Sequence, residues 1–174
     1  MSYSYRSSYG QGKLQELQDA PGEYYQLTEP VTPDELLAIA QAMANDRLCA
    51  GTALTNPEQT KLTLATLLQG MEREVFGVLF VNGQHQLIEF EILFYGTVDA
   101  AAVYPREVVK RALLWNASAV LFCHNHPSGH AEPSQADRQI IRRLADALKL
   151  VDIPVLDHFV IGKTITSFAE RGWL

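Results

Sequence analysis

The spacing of apolar positions predicts two helices before Gly70. The first begins at Thr32-Pro33-Asp34-Glu35, which supplies an N-cap, a proline at the first helical position and a capping glutamate. The second begins at Asn56-Pro57-Glu58-Gln59, which repeats that signal, and runs to about Gly70. In the first helix, which ends at Gly51, apolar residues recur at helical spacing: Leu36, Leu37, Ala40, Met43, Ala44 and Leu48.

The pattern changes to that of strands after Glu74. Val75–Val81 is an unbroken apolar run, typical of a strand buried on both faces. Asn82-Gly83 predicts a turn, and Leu87–Phe94 follows as the hairpin partner. The remaining predicted elements are a helix from Pro105, a strand over Ala117–Cys123, a helix over Ser134–Leu150, and strands over Ile153–Ile161 and Thr164–Phe168. The order α-α-β-β-α-β-α-β-β predicts an α/β or α+β domain, with a mixed sheet between layers of helices.

Met1–Val31 shows neither a helical nor a strand period. It holds five of the seven tyrosines among Ser, Gly and Gln, and we expect a mobile arm. A tyrosine stacking surface for single-stranded nucleic acid is the alternative, although only Arg6 and Lys13 could hold a phosphate backbone there.

Composition narrows the class of protein further. The 174 residues carry a net charge of −6, which argues against general adhesion to nucleic acid or to an anionic membrane. The apolar runs are too short to span a bilayer, and the polar N-terminus lacks the apolar region of a secretory signal. Cys49 and Cys123 cannot form a disulfide framework. We therefore expect a reduced cytoplasmic protein that binds no membrane and binds nucleic acid weakly at best.

Two histidines stand two positions apart at the end of a predicted strand. Period two sends the imidazoles of His124 and His126 to the same side, while Asn125 points away. Pro127-Ser128-Gly129 then turns the chain out of the sheet, and Asp137 falls in the first turn of the next helix. Two neutral imidazoles and a carboxylate, with one position open, form a typical catalytic zinc shell. Ser134 and Asp137 also fit a capping pair at the helix start, so that interpretation stays open.

These residues carry a resemblance to a known family. The string His124-x-His126-Pro127-x6-Ser134-x2-Asp137 matches the JAMM motif of the JAB/MPN metallopeptidases without a gap. Further motifs over Glu74–Leu174 resemble the RadC branch of that fold, in order: Gly96-Thr97-Val98, Pro105-Arg106-Glu107, His124-Asn125-His126-Pro127-Ser128-Gly129, Pro133-Ser134-x-x-Asp137 and Leu156-Asp157-His158. The resemblance implies a JAB/MPN catalytic domain over residues 71–174, after a flexible arm over 1–31 and a helical extension over 32–70. Without a helix-hairpin-helix pattern in the first 70 residues, the chain resembles the short RadC-like proteins of mobile elements and prophages.

The resemblance implies a site built around one Zn²⁺ ion, with His124, His126 and Asp137 as ligands. Glu74 is then the general base, which takes a proton from the attacking water and passes it to the leaving amine. Its position at the edge of an apolar sheet favours a raised pKa, which suits that role. Glu72 has the same strand parity and is the rival, and Glu74 also suits a strand-edge gatekeeper. Ser134 is expected to steady the oxyanion, or else to serve only as an N-cap worth about 1 kcal/mol.

Four further residues are candidates for orienting the ligands or binding the substrate. Asn125 and Ser128 lie beside the ligands, and turn formation is their alternative role. Asp157 and His158 are polar residues inside an apolar strand, where burial of such side chains requires a partner or a function. Because neighbours in a strand face opposite sides, only one of the two can face the metal; a structural hydrogen bond is the alternative.

We therefore predict an enzyme, a zinc-dependent hydrolase of the JAMM type that acts on a peptide or isopeptide bond of an unidentified peptide or protein substrate. The alternative is a RadC-like accessory factor in DNA repair or in the DNA processing of mobile elements. Every JAMM position is filled, which favours the enzyme. The sequence lacks the His-Glu-x-x-His string of other zinc peptidases and the motifs of zinc deaminases. It leaves the oligomeric state open.

Overall fold

The structure, a computed structural model, describes residues 13–16, 24–96 and 103–174. By its internal contacts the chain divides into two units, Met1–Asp46 and Arg47–Leu174. Within the described ranges, no helix is long and apolar enough to cross a membrane. Thr97 and Val98 of one family motif lie outside these ranges, as do Tyr3, Tyr5 and Tyr9, so the mobile arm stays a prediction.

The first unit contains a small antiparallel pair of strands, β1 (Leu14–Glu16) and β2 (Tyr25–Leu27), followed by helix α1 (Pro33–Arg47). The sequence predicted no strand here, because three residues are too few to show a period. The predicted cap of α1 is present: Thr32 N donates to Glu35 Oε2 over 2.7 Å, and Glu35 N donates to Thr32 Oγ1 over 3.3 Å. Hydrogen bonds from Lys13 and Thr32 lower the pKa of Glu35 to about 2.

The second unit holds the remaining elements: α2 (Pro57–Leu68), β3 (Val75–Val81), β4 (Leu87–Tyr95), α3 (Pro105–Leu114), β5 (Ala119–Asn125), α4 (Gln135–Lys149), β6 (Val155–Ile161) and β7 (Ile165–Ser167). The sheet order is β4-β3-β5-β6-β7. Strands β5 and β6 are parallel and joined through α4, whereas the other pairs are antiparallel. The predicted order of elements after residue 32 is confirmed. The strand predicted to end at Cys123 continues through Asn125, so His124 lies inside it.

Each face of the sheet buries its own apolar cluster. On one face, Val108 of α3 and Ile141 of α4 pack with Phe122 of β5. On the other face, Leu64 of α2 packs with Leu121 of β5. The mixed sheet between helical layers is therefore confirmed. Helix α2 contributes to the core of the sheet, although the sequence placed it in an extension.

Candidate metal centre

Strand β5 brings both histidines to one edge of the sheet. His124 lies opposite Phe76 of β3 and Val160 of β6. Alternation along the strand puts Phe122 and His124 on the face covered by α3 and α4. His126 follows the end of the strand, and its N–H donates to the carbonyl of Ile161 over 2.8 Å. Both imidazoles therefore face the start of α4.

Four side chains converge at this edge. The Nε2 atoms of His124 and His126 are 2.9 Å apart. Asp137 Oδ2 lies 3.9 Å from the first of these nitrogens and 3.6 Å from the second. With the carboxylate of Glu74 included, one ligand atom from each residue lies within 4.8 Å of all the others. The structure thus brings together the three residues predicted as ligands and places Glu74 beside them.

Asp137 reaches the histidines from a capping box at the start of α4. The N–H of Ser134, the N-cap, donates to Asp137 Oδ2 over 2.6 Å, and Asp137 N donates to Ser134 Oγ over 3.1 Å. The capping pair that the sequence left open is therefore present. It also fixes the carboxylate in a rotamer that faces His126. Because Ser134 Oγ is only an acceptor in the cap, its hydroxyl proton remains free to be donated.

The backbone on either side of Glu74 is held by the side chain of Asn125, which lies on the opposite face of β5 from the histidines. Asn125 Oδ1 accepts the N–H of Val75 over 2.8 Å, and Nδ2 donates to the carbonyl of Arg73 over 3.1 Å and to that of Met71 over 3.4 Å. The two shorter bonds join the residues immediately before and after Glu74. Asn125 thus fixes the backbone that carries Glu74, rather than contacting a ligand side chain.

Burial and charge give the four groups different protonation behaviour. Burial lowers the pKa of His124 to about 4. The nearby carboxylate of Asp137 raises the pKa of His126, against the effect of burial. Burial alone would raise the pKa of Asp137, but the neighbouring imidazole of His126 and the hydrogen bond from Ser134 hold it well below its usual value. Burial raises the pKa of Glu74, and the neighbouring charge of His126 opposes this. At neutral pH, His124 therefore offers a lone pair and Asp137 a negative charge.

The hydrogen bonds around His126 test whether these residues fit a metal ion. His126 Nδ1 lies 2.6 Å from the carbonyl oxygen of His130. Because a carbonyl can only accept, Nδ1 carries the proton and neutral His126 keeps a lone pair on Nε2, as metal-ligating histidines do. Two imidazole nitrogens with carboxylate oxygens are a set that zinc accepts. The residues fit. The sequence analysis missed the carbonyl of His130, because a backbone acceptor leaves no side-chain signal.

A groove runs past this cluster. Its walls are formed by Glu72, Arg73, Glu74, His126, Pro127 and Ser128. Glu72, the rival for the general base, is exposed. Among the described residues, it does not belong to the four-residue cluster. Ser128 Oγ accepts the N–H of His130 over 3.4 Å. Ser128 therefore supports the loop that holds His126.

The adjacent polar residues of β6 point to opposite faces, as strand parity requires. His158 Nε2 lies 2.9 Å from His124 Nδ1. Asp157 Oδ1 accepts the N–H of Ala169 over 2.9 Å, and Oδ2 accepts the hydroxyl of Ser167 over 2.6 Å. Asp157 thus anchors the segment after β7, and His158 alone of this pair contacts the cluster.

Comparison with known proteins gives one family. The family model of the RadC-like JAB domain matches residues 54–173, a range that includes α2 and all four residues of the cluster. UPF0758 proteins of Vibrio parahaemolyticus and Vibrio campbellii are each 61% identical over 140 residues, which make up 80% of this chain and 62% of each relative. The chain thus spans less than two thirds of their length. A UPF0758 protein of Vibrio cholerae is 56% identical over 150 residues, covering 86% of this chain and 96% of that protein. The chain belongs to the RadC-like JAB domain family.

Proposed function

We propose that the protein is a zinc-dependent hydrolase that cleaves a peptide or isopeptide bond. The observation that carries this proposal is the convergence of Glu74, His124, His126 and Asp137, with ligand atoms within 4.8 Å of one another. Membership in the JAB domain family, which includes metallohydrolases, supports it.

His124, His126 and Asp137 would hold the ion, which leaves one position for water or substrate. When bound, zinc supplies a Lewis acid that polarises a carbonyl oxygen and makes water acidic enough to lose a proton near neutral pH. The neutral state of His124 and the ionised state of Asp137 match what metal binding requires of each ligand.

Glu74 is the proton acceptor in this proposal. Its carboxylate is half-buried at the wall of the groove, and burial raises its pKa toward the range in which a general base works well. It takes a proton from the attacking water and returns it to the leaving amine. The hydroxyl of Ser134 donates to the oxygen that becomes negative, a contribution worth about 3 kcal/mol in comparable sites. An unidentified peptide or protein segment would occupy the groove.

Metal analysis tests the site itself. We expect purified protein to hold about one zinc ion per chain, because three protein ligands suffice for tight binding. His126→Ala should abolish tight loading, since two ligands make a poor zinc site. His85→Asn is the matched control, because His85 is exposed in the β3–β4 turn and should not affect loading. Equal zinc content in wild type and His126→Ala would refute the assignment.

Trapping tests the substrate class. Glu74→Gln should bind substrate without cleaving it, so peptides recovered with this variant and cleaved by wild type would identify the substrate. The alternative, an accessory role in DNA processing, predicts that nucleic acid is recovered instead. At physiological salt we expect DNA to bind no tighter than about micromolar, the nonspecific range. Nanomolar, structure-selective DNA binding would favour the alternative.

A further inference from the structure

His158 is a buried histidine that the proposed reaction does not use. It lies in β6, surrounded by the rings of Phe76 and Phe168, with ring centroids 5.9 Å and 4.7 Å from its own. Its Nε2 lies 2.9 Å from His124 Nδ1. Its Nδ1 is buried and has no hydrogen-bond partner among the residues that the structure describes. This histidine hydrogen-bonds to a proposed metal ligand, so a buried ring nitrogen without a partner needs a physical explanation.

The proton positions of the three histidines follow from their partners. His126 carries its proton on Nδ1, because that atom faces the carbonyl of His130. When His126 is neutral, the 2.9 Å contact between its Nε2 and that of His124 needs the proton on His124 Nε2. Neutral His124 is left with a lone pair on Nδ1, so His158 must donate from Nε2. The orphaned Nδ1 of His158 is then a bare lone pair.

Binding of a metal ion would reverse this arrangement. His124 can ligate through Nε2 only if its proton sits on Nδ1 instead. That N–H then needs an acceptor, and the atom facing it is His158 Nε2. His158 must in turn carry its own proton on Nδ1. Each ring keeps one proton: His124 loses one at Nε2 and gains one at Nδ1, and His158 does the same, so the two rings release none overall.

We propose that His158 is a positioning residue that sets the tautomer of His124 and thereby the affinity of the site for its metal ion. The inference rests on the proposed metal centre. Hydrogen-bond partners of metal-ligating histidines change metal affinity by about 10–100-fold when they are removed. Both rings are buried in the core, and each carries a single proton in either arrangement. The pair can therefore exchange tautomers without placing a charge in the core.

Zinc competition against a chelator tests the proposal with three variants. His158→Phe keeps an aromatic ring among Phe76 and Phe168 but offers no acceptor, and it should weaken zinc binding by about 10–100-fold. His158→Gln places an amide oxygen near the position of the ring Nε2, and it should restore most of the affinity. His158→Asn reaches only to the position of Nδ1 and should bind as weakly as His158→Phe. If all three bind zinc as wild type does, the proposal is wrong.

Nitrogen-15 NMR of the histidine rings is a second measurement. It uses wild-type protein, so it does not depend on whether a variant folds. In metal-free protein, at a pH high enough to keep His126 neutral, we expect the proton on Nε2 of His124 and of His158. After addition of zinc we expect it on Nδ1 of both. Unchanged tautomers in a zinc-loaded chain would overturn the proposal.

These readouts also separate the inference from the function on which it rests. A chain that binds zinc and shows the tautomer change but cleaves no peptide would refute the peptidase and leave the role of His158 standing. A wild-type chain that takes up no zinc would overturn both.

Discussion

Asn125, on the neighbouring strand, hydrogen-bonds to the backbone on both sides of Glu74. Its side-chain amide accepts the N–H of Val75 over 2.8 Å and donates to the carbonyl of Arg73 over 3.1 Å. One residue of the His124–His126 motif therefore fixes the backbone on both sides of the proposed general base. His124 lies in β5 and Glu74 directly precedes β3, so this amide ties the ends of the two strands together.

Replacing Asn125 by alanine should separate the base from the metal. Asn125→Ala leaves a buried N–H and a carbonyl unpaired, which should lower the free energy of unfolding by about 1–3 kcal/mol. Zinc content should stay near one per chain, while turnover of a trapped substrate falls because Glu74 is less well placed. Urea unfolding, metal analysis and steady-state kinetics measure the three effects.

The control for this change is Asn82→Ala. Asn82 Oδ1 accepts from Gln84 N and Gln86 N in the turn between β3 and β4, over 2.9 Å and 3.0 Å. The control variant also loses backbone hydrogen bonds, so it should lose stability without losing turnover. Equal loss of turnover in both variants would mean that Asn125 acts only through stability.

Glu74→Gln should keep zinc and lose the chemical step. The amide has the size of the carboxylate but cannot accept a proton, so turnover should fall by about 10²–10⁴-fold. Substrate binding should change little, because the loss lies in the transition state. Glu72→Gln is the matched control in the same groove. If Glu74→Gln loses its zinc, Glu74 is a ligand; if Glu72→Gln is the inactive variant, the base has been assigned to the wrong carboxylate.

Gly162→Ala should weaken zinc binding, although Gly162 does not belong to the four-residue cluster. A Cβ at Gly162 would lie 2.5 Å from the carbonyl oxygen of Gly129 and 2.8 Å from Ala131 N. The clash is with backbone on either side of His130, whose carbonyl holds His126. We expect a loss of about 1–3 kcal/mol in unfolding free energy, as for other overpacked sites, together with weaker zinc binding.

Gly70→Ala provides the comparison, since a Cβ there would meet no atom within 4 Å among the described residues. It should change stability by no more than about 0.5 kcal/mol, the usual range for surface substitutions. Zinc binding as tight in Gly162→Ala as in Gly70→Ala would show that the loop can shift without moving His126.

The metal-free protein should lose stability in mild acid, at pH values well above the ordinary pKa of a carboxylate. The pKa of His124 falls from 6.5 to about 4 in the folded chain. Between these values the unfolded chain binds a proton that the folded chain does not, so stability is full above pH 6.5 and is lost as the pH falls toward 4. The expected loss is at most about 1.4 kcal/mol per pH unit for one group.

His158 and His126 also contribute to the dependence of stability on pH. Burial lowers the pKa of His158, which acts in the same direction. The raised pKa of His126 acts oppositely, since its contribution is present at low pH and is lost as pH rises through the folded pKa. Chemical denaturation of chelator-treated protein between pH 7 and 4 measures the sum. A flat profile would contradict the expectation that the lowered pKa values of His124 and His158 dominate this sum.

Local patterns predicted most of what the chain forms by itself. Thr32 and Ser134 start helices with side chains that bond to backbone three residues away, so their caps are readable in the sequence. Period two within β5 places His124 and His126 on one side without reference to any other strand. Asp137 follows within the first turn of the next helix. The proposed ligand set could therefore be predicted, because it depends on short spacings.

The partners of those ligands were decided by the tertiary structure. The pairing of β5 with β6 shifts between Val120 and Leu121, and no spacing in the chain reports such a shift. It is this register that sets His158 against His124. Asn125 could be assigned to the far face, but its hydrogen bond to the N–H of Val75, 50 residues earlier in the chain, could not be predicted. The sequence determined which residues could bind a metal, and packing between strands determined what orients them, because these hydrogen bonds join atoms that only the folded sheet brings together.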